Sequence, residues 1–217
     1  MAAPLKVRAS GFHFANGVSQ EGAPHARMIQ KGADIPPKSK STKGNLYVLV
    51  EIINHPPGTD HLATQIGQIV EKTYFGTHGT TTTSLREAIR AANQYLLDEN
   101  LKSPYEAQRD ASLCCLALRG EDAIIARAGP CAVYHVRGAR WERFPSTDAG
   151  AAPTASVPIG LRKEAEIGFH LVRLAPGDLL MLLDSRGAGA MAQVSLDGPA
   201  EAAAVAALRA AGQRADF

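Results

Sequence analysis

The pattern of apolar and polar positions divides the chain into strands and helices that follow one another in a fixed order. A near-continuous apolar run from Leu46 to Ile53 has the length of a strand that is covered on both faces. Residues 5–14 read as an earlier strand. The Gly-, Pro-, Lys- and Ser-containing segment 15–44 lies between these two strands and is longer than an ordinary structureless loop.

Two helices are predicted after the apolar strand. In the first, Asp60 is the predicted N-cap and apolar residues recur at helical spacing from Leu62 to Thr73. The second is predicted to open at Ser84, because Ser84 and Glu87 have the spacing of a capping box. Its apolar stripe comprises Leu85, Ala88, Ile89, Ala92 and Leu96, which we interpret as core positions.

The second half of the chain is dominated by short apolar runs separated by turns. We predict strands at residues 111–119, 123–128, 131–137, 141–144, 166–174 and 178–184. An Ala-rich helix is predicted at 200–211, and Gly187, Ala188 and Gly189 are predicted to form a short flexible turn. This order of elements predicts an α+β fold in which two sheets pack together with helices outside.

Composition and net charge exclude only a few classes of function. A net charge of +2 gives no support for nucleic-acid or membrane-surface binding, so we expect neither partner. No apolar run reaches the roughly 20 residues that a membrane-spanning helix needs. The three cysteines read as reduced, buried thiols of a cytoplasmic protein. Glycine-rich nucleotide-binding motifs and a nucleophile-elbow motif are absent from the sequence.

Four segments in matching order resemble the metal-dependent protein phosphatases of the PPM type, also called type 2C. The strand 46–52 resembles the family strand that ends in Asp-Gly, and the helix 85–93 resembles the family's usual helix. Residues 128–134 read Ala-Gly-Pro-Cys-Ala-Val-Tyr, where the family has Val-Gly-Asp-Ser-Arg-Ala-Tyr. Residues 176–183 resemble the turn and strand that precede the family's Ser-Asp-Gly.

The resemblance implies a four-layer α-β-β-α sandwich of two mainly antiparallel sheets with helix pairs outside. We expect residues 1–217 to form a single PPM phosphatase-like domain. Family members usually show Asp-Asn and one more strand where this sequence ends at Asp216 and Phe217, so we expect the domain to be truncated before that final strand.

The resemblance also implies a chemistry, in which two divalent cations activate a water that attacks a phosphoserine or phosphothreonine. Two such cations about 4 Å apart require several convergent carboxylates. The sequence departs from this pattern at most of the family's ligand positions. Glu51 and Ile52 replace Asp-Gly, and Ser185 and Arg186 stand where Ser-Asp is expected, with Ser185 at the Asp position in the stricter alignment. Pro130 replaces a turn carboxylate.

Two other metal sites remain open as alternatives. A rearranged carboxylate set could combine Glu51 with Asp34, Asp184 and Asp216, the last being the only residue of the expected type at its position. Manganese or magnesium would then be the cofactor; otherwise we expect none. A transition-metal site could combine His55, Asp60 and His61, although loop and capping roles explain the same three residues.

The leading functional hypothesis is a PPM-type serine/threonine phosphatase-like domain that is catalytically inactive, a pseudophosphatase with a regulatory or protein-binding role. The alternative is a divergent active phosphatase that uses the rearranged carboxylates. A structural or oligomerisation module is the third class. For the degenerate site we also hypothesise that Glu51 and Arg186 form an ion pair in place of the metal cluster.

Overall fold

The computed structural model describes residues 7–11, 13–15, 18–20, 26–31, 43–53, 60–146 and 157–192, and residues 206, 208 and 209. Three candidate site residues lie outside these ranges: Asp34, His55 and Asp216. Most of the predicted helix 200–211 also lies outside them, although its residues 206, 208 and 209 are helical.

Ten strands and three helices follow one another in the described ranges. In chain order the elements are β1 (His13–Ala15), β2 (Val18–Gln20), β3 (Ala26–Lys31), β4 (Asn45–Ile52), α1 (Asp60–Gly76), α2 (Thr81–Leu101), β5 (Ala111–Arg119), β6 (Asp122–Ala128), β7 (Ala132–Arg137), β8 (Arg140–Phe144), β9 (Gly168–Arg173), β10 (Leu179–Leu183) and α3 (Ser185–Met191). The strands predicted in the second half of the chain are confirmed to within one or two residues.

The strands form two main sheets with antiparallel pairing throughout. A five-stranded sheet has the order β3-β4-β5-β6-β9, a three-stranded sheet has the order β10-β7-β8, and β1 pairs with β2. The five-stranded sheet packs against α1 and α2 on one face. The three-stranded sheet carries α3 and Leu208 on its outer face. The predicted α+β sandwich of two antiparallel sheets with helices outside is therefore confirmed.

The alternation of side chains along the central strands explains why their sequences are apolar throughout. On β5, Cys114, Leu116 and Leu118 face the other sheet, whereas Leu113, Cys115 and Ala117 face the helices. Successive side chains of a strand point to opposite faces, so a strand that is covered on both faces needs apolar residues at its odd and even positions alike. The predicted apolar stripe of α2 is buried as expected.

The segment 15–44, which is longer than an ordinary structureless loop, contains β2 and β3, of which β3 pairs with β4. Three local predictions are wrong. Residues 7–11 of the predicted strand 5–14 are not in a strand, although His13 and Phe14 lie in β1. Helix α2 begins at Thr81 rather than Ser84, because the Thr80 hydroxyl accepts a hydrogen bond from the Thr83 N–H (3.1 Å) and caps the helix earlier. The segment expected to be a flexible turn at 187–189 is part of helix α3. None of the helices in the described ranges is long and apolar enough to cross a membrane.

Candidate functional site

The end of β4 carries the first pair of predicted site residues. Glu51 and Ile52 are 2% and 1% exposed, respectively. Being adjacent in a strand, they point to opposite faces of the five-stranded sheet. Ile52 packs into the core beneath α1 and α2. Glu51 lies opposite Ser112 in the register between β4 and β5 and reaches towards the start of α3.

The first turn of α3 binds the Glu51 carboxylate. The Ser185 N–H donates to Glu51 Oε2 at 2.9 Å, and the Ser185 hydroxyl donates to Oε1 at 2.5 Å. Asp184 is the N-cap of the same helix, and its Oδ1 accepts from the Gly187 N–H at 2.7 Å. The first N–H groups of a helix lack partners within it, so carboxylates are favourable there. Both carboxylates are thus used to hold a helix terminus.

The turn between β6 and β7 closes one side of this region. Gly129 has φ 94°, and an added Cβ would lie 3.0 Å from Ser112, so only glycine fits without strain. Pro130 follows it and is half-buried. The buried Arg127 guanidinium donates to the carbonyl oxygens of Gly129 (3.2 Å) and Cys131 (3.3 Å). The loop that carries a carboxylate in the family motif is therefore organised here by an arginine.

The thiols near this turn are enclosed. Cys131 Sγ donates to the Leu113 carbonyl oxygen at 3.2 Å, and both Cys114 and Cys131 are buried between the sheets. The hydrogen bond between the two thiols, helped at Cys131 by Ser112 and Arg127, lowers the pKa of Cys131; the same bond together with burial raises the pKa of Cys114. Because neither thiol reaches solvent, neither can act as a nucleophile on an external substrate.

Two of the predicted site residues, Glu51 and Ser185, are in contact, whereas Arg186 forms no ion pair with Glu51 in the described ranges. Glu51 contacts Ser185, the residue that takes the ligand position in the stricter alignment. Arg186 is exposed on α3, and no ion pair joins it to Glu51 among the described side chains. The hypothesised pair is therefore wrong, because the next residue along a helix points about 100° away around its axis.

The described residues do not fit a centre of two divalent cations. No group of three or more His, Cys, Asp or Glu side chains in the described ranges is arranged to hold a metal ion. Glu51 and Asp184 direct carboxylate oxygens to N–H groups of the first turn of α3. Asp60 is the first residue of α1 and His61 is exposed; their predicted metal site with His55, and the set with Asp34 and Asp216, stay predictions.

A second polar cluster was missed by the sequence reasoning. In the turn before β10, Asp178 accepts hydrogen bonds from Arg137 (2.6 Å and 2.8 Å), from the Ala175 N–H (2.9 Å) and faces His135 Nε2 at 3.0 Å. The Arg137 guanidinium is the main reason why the pKa of Asp178 lies well below its usual range. The Pro-Gly-Asp sequence signals the turn, whereas its partners become adjacent only when β7 and β10 pair.

Comparison with solved structures identifies the fold. PppA of Pseudomonas aeruginosa, a key regulatory component of T6SS, is 17% identical, with a TM-score of 0.57 over 94% of this chain and 90% of PppA. The serine/threonine phosphatase of S. agalactiae is 12% identical, with a TM-score of 0.58 over 94% and 92% of the two chains. The PP2C phosphatase domain and regulatory fragment of SpoIIE from Bacillus subtilis is 16% identical, with a TM-score of 0.55 over 84% and 47%.

The chain therefore has the fold of the PPM-type, or PP2C, bacterial serine/threonine phosphatases. No family model matches the sequence, and no curated protein matches it. Identities of this size establish the fold and leave the activity to be argued from the site.

Proposed function

We propose that this protein is a PPM phosphatase-like domain without metal-dependent catalysis and that it acts by binding another protein. The observation that carries the proposal is the position of Glu51, whose two carboxylate oxygens accept hydrogen bonds from the Ser185 N–H and hydroxyl. In this position the carboxylate stabilises the first turn of α3.

Neighbouring residues support the same reading. Ile52 fills the core where the family pattern has a glycine, and the Pro130 turn is held by Arg127 instead of carrying a carboxylate. A two-metal mechanism needs both cations held together so that the bridging water is activated. Replacing a ligand by Ser185 and engaging Glu51 elsewhere removes the oxygen donors on which that arrangement depends.

A regulatory or binding role needs no metal ion, and the likeness to PppA, described as a regulatory component, is compatible with it. A domain that keeps the sandwich while altering its strand-end carboxylates still presents a rigid surface to a partner. The partner of this chain is a protein in the proposal, and its chemistry is argued in the next subsection.

The test combines metal binding with hydrolysis. We expect calorimetric titration with manganese to show no stoichiometric binding below about 1 mM, because the carboxylate cage is incomplete. We also expect no manganese-dependent release of phosphate from a phosphoserine peptide. The matched control is Glu51→Gln, purified identically, which removes the charge of the strand-end carboxylate and reports any contaminating phosphatase.

The opposite outcome would establish the active-enzyme alternative. That outcome is micromolar, stoichiometric manganese binding together with hydrolysis that is sensitive to a chelator and lost in Glu51→Gln. Hydrolysis that is equal in the wild type and in Glu51→Gln would come from a contaminant and would leave the calorimetric result to decide.

A further inference from the structure

The outer edge of β9 is open in the described part of the chain, except at the Arg173 carbonyl oxygen, which accepts a hydrogen bond from Arg137 at 2.7 Å. This strand ends the five-stranded sheet and pairs only with β6 among the strands that the structure describes. An edge strand presents backbone N–H and C=O groups on its free side, and these groups can pair with an added strand. The question is which kind of segment its side chains would accept.

The helix-side face of this edge is apolar and only partly covered. Leu171 is 65% exposed and lies opposite the half-buried Ile124 of β6. Phe169, two residues earlier and therefore on the same face, packs partly against the core beneath α2. The cover that the helices provide ends between Phe169 and Leu171, so an incoming side chain opposite Leu171 would bury apolar surface.

Cations stand on both sides of Leu171 along the same face. The exposed Arg86 guanidinium of α2 lies over the Phe169 ring at 4.9 Å, and no ion pair of Arg86 is found within the described ranges. Arg173, at the other end of β9, is 80% exposed and forms an ion pair with Glu121 at 3.1 Å. Leu171 is therefore flanked by the Arg86 guanidinium on one side and by the Arg173–Glu121 ion pair on the other.

We propose that β9 docks an extended segment of a partner protein that carries an apolar residue with an acidic residue two positions away, on the side of Arg86. The segment adds a strand to the five-stranded sheet, its apolar side chain covers Leu171, and its carboxylate pairs with Arg86. This inference rests on the proposed protein-binding role and specifies the chemistry of the partner.

A second copy of the chain is a poorer occupant of this edge. Antiparallel pairing of two β9 strands about His170 would place Phe169 of each opposite Leu171 of the other, which matches the apolar surfaces. However, β9 contains no acidic residue, so Arg86 would gain no carboxylate from the strand of the other copy. Charge complementarity therefore favours an acidic segment.

The test uses a synthetic heptapeptide as the probe, with blocked termini and the sequence Thr-Glu-Thr-Val-Thr-Glu-Thr. It is titrated into isotopically labelled protein and followed by amide NMR. We expect saturable shifts confined to β9, β6 and the Arg86 region at probe concentrations below about 1 mM. The matched probe Thr-Lys-Thr-Val-Thr-Lys-Thr should bind at least tenfold more weakly, as expected for like charges brought together.

Charge exchange and apolar substitution separate recognition from a loss of structure. In Arg86→Glu the affinity for the acidic probe should fall about tenfold while the affinity for the lysine probe rises. Leu171→Asp should lower the affinity for both probes. The controls are Arg140→Glu, an exposed arginine of β8 in the other sheet, and Leu101→Asp, an exposed leucine at the end of α2; both should bind the acidic probe as the wild type does.

Several outcomes would overturn the proposal. These are the absence of saturable shifts at β9, equal binding of the two probes, and an Arg86→Glu variant that keeps the preference for the acidic probe. A wild-type dimer that Leu171→Asp converts to a monomer would assign the edge to a second copy. Failure here would leave the manganese and hydrolysis results untouched, so the two proposals fail independently.

Discussion

At the residue scale, buried or half-buried polar side chains determine the details of the fold. Asn93 on α2 accepts from the Gly160 N–H (2.9 Å) and donates to the carbonyl oxygens of Arg162 (2.9 Å) and Lys163 (3.2 Å). Asn100 lies seven residues later on the same helix face. Its side-chain amide donates to the carbonyl oxygens of Gly160 and Arg109 and accepts from the Arg109 N–H. Because buried backbone groups must find partners, these two amides fix the segment before β9.

Asp178 provides a pH-dependent prediction at the same scale. Its carboxyl pKa is depressed in the folded protein, chiefly by Arg137, while an unfolded aspartate titrates near about 3.9. A carboxyl group whose pKa is lower in the folded than in the unfolded protein stabilises the fold at pH values above its unfolded pKa. This stabilisation is lost as the pH falls through the folded pKa. We expect urea unfolding midpoints to decline from about pH 5 towards pH 2, and Asp178→Asn to decline less steeply.

The size of this effect is moderated by solvent, because the Arg137 side chain is half exposed and its attraction is screened. Asp98→Asn, which alters an exposed carboxylate of α2, is the matched control and should follow the wild-type curve. Equal pH dependence in Asp178→Asn and the wild type would contradict this account of the turn.

At the scale of elements, Glu51 joins β4 to α3 across the sandwich. Glu51→Ala should lower the free energy of unfolding by about 2 kcal/mol, because it leaves the half-buried donors of Ser185 without their charged acceptor. Ser185→Ala removes only the hydroxyl and should cost about 1 kcal/mol. The measurement is equilibrium unfolding in urea.

Arg186→Ala is the matched control for this series, because its side chain is exposed on the same helix turn. We expect a change within about 0.5 kcal/mol. A large loss in Arg186→Ala with a silent Glu51→Ala would reverse the assignment and restore a role for the arginine at the strand end.

The element scale also shows where pattern reasoning succeeds. The strands 111–119 and 131–137 and the apolar stripe of α2 follow from residue types and spacing, because burial on a known face dictates them. The start of α2 did not follow, since two hydroxyl residues, Thr80 and Ser84, compete for the cap and the buried position of Ser84 decides the outcome. Helix α3 was missed because Gly187 and Gly189, two of its seven residues, lower its intrinsic preference for helix.

At the scale of the whole molecule, the reactivity of the three cysteine thiols tests whether the sheets and helices stay packed together. Cys114 and Cys131 lie between the sheets, and Cys115 lies beneath the helices. Burial raises the pKa of Cys115, and all three thiols are free and buried. We expect an aromatic disulfide reagent to label no thiol of the native protein within minutes and to label all three in denaturant.

A positive control is an exposed thiol introduced by Ser146→Cys, near the end of the described segment 60–146, which should react in the native state. Rapid labelling of a wild-type thiol under native conditions would show that the sheets separate readily. That result would contradict the closed packing described here.

The sequence by itself determined the class of fold, because alternating and helical patterns of apolar residues encode which faces are buried and four segments keep the family order. It also predicts that Glu51, Ile52, Pro130, Ser185 and Arg186 are altered site positions, since residue types can be compared along matched segments. Only the tertiary structure decided that Glu51 binds Ser185 and that Arg186 points away. That choice depends on how β4 and α3, more than 130 residues apart, meet across two sheets, and no local pattern specifies such a contact.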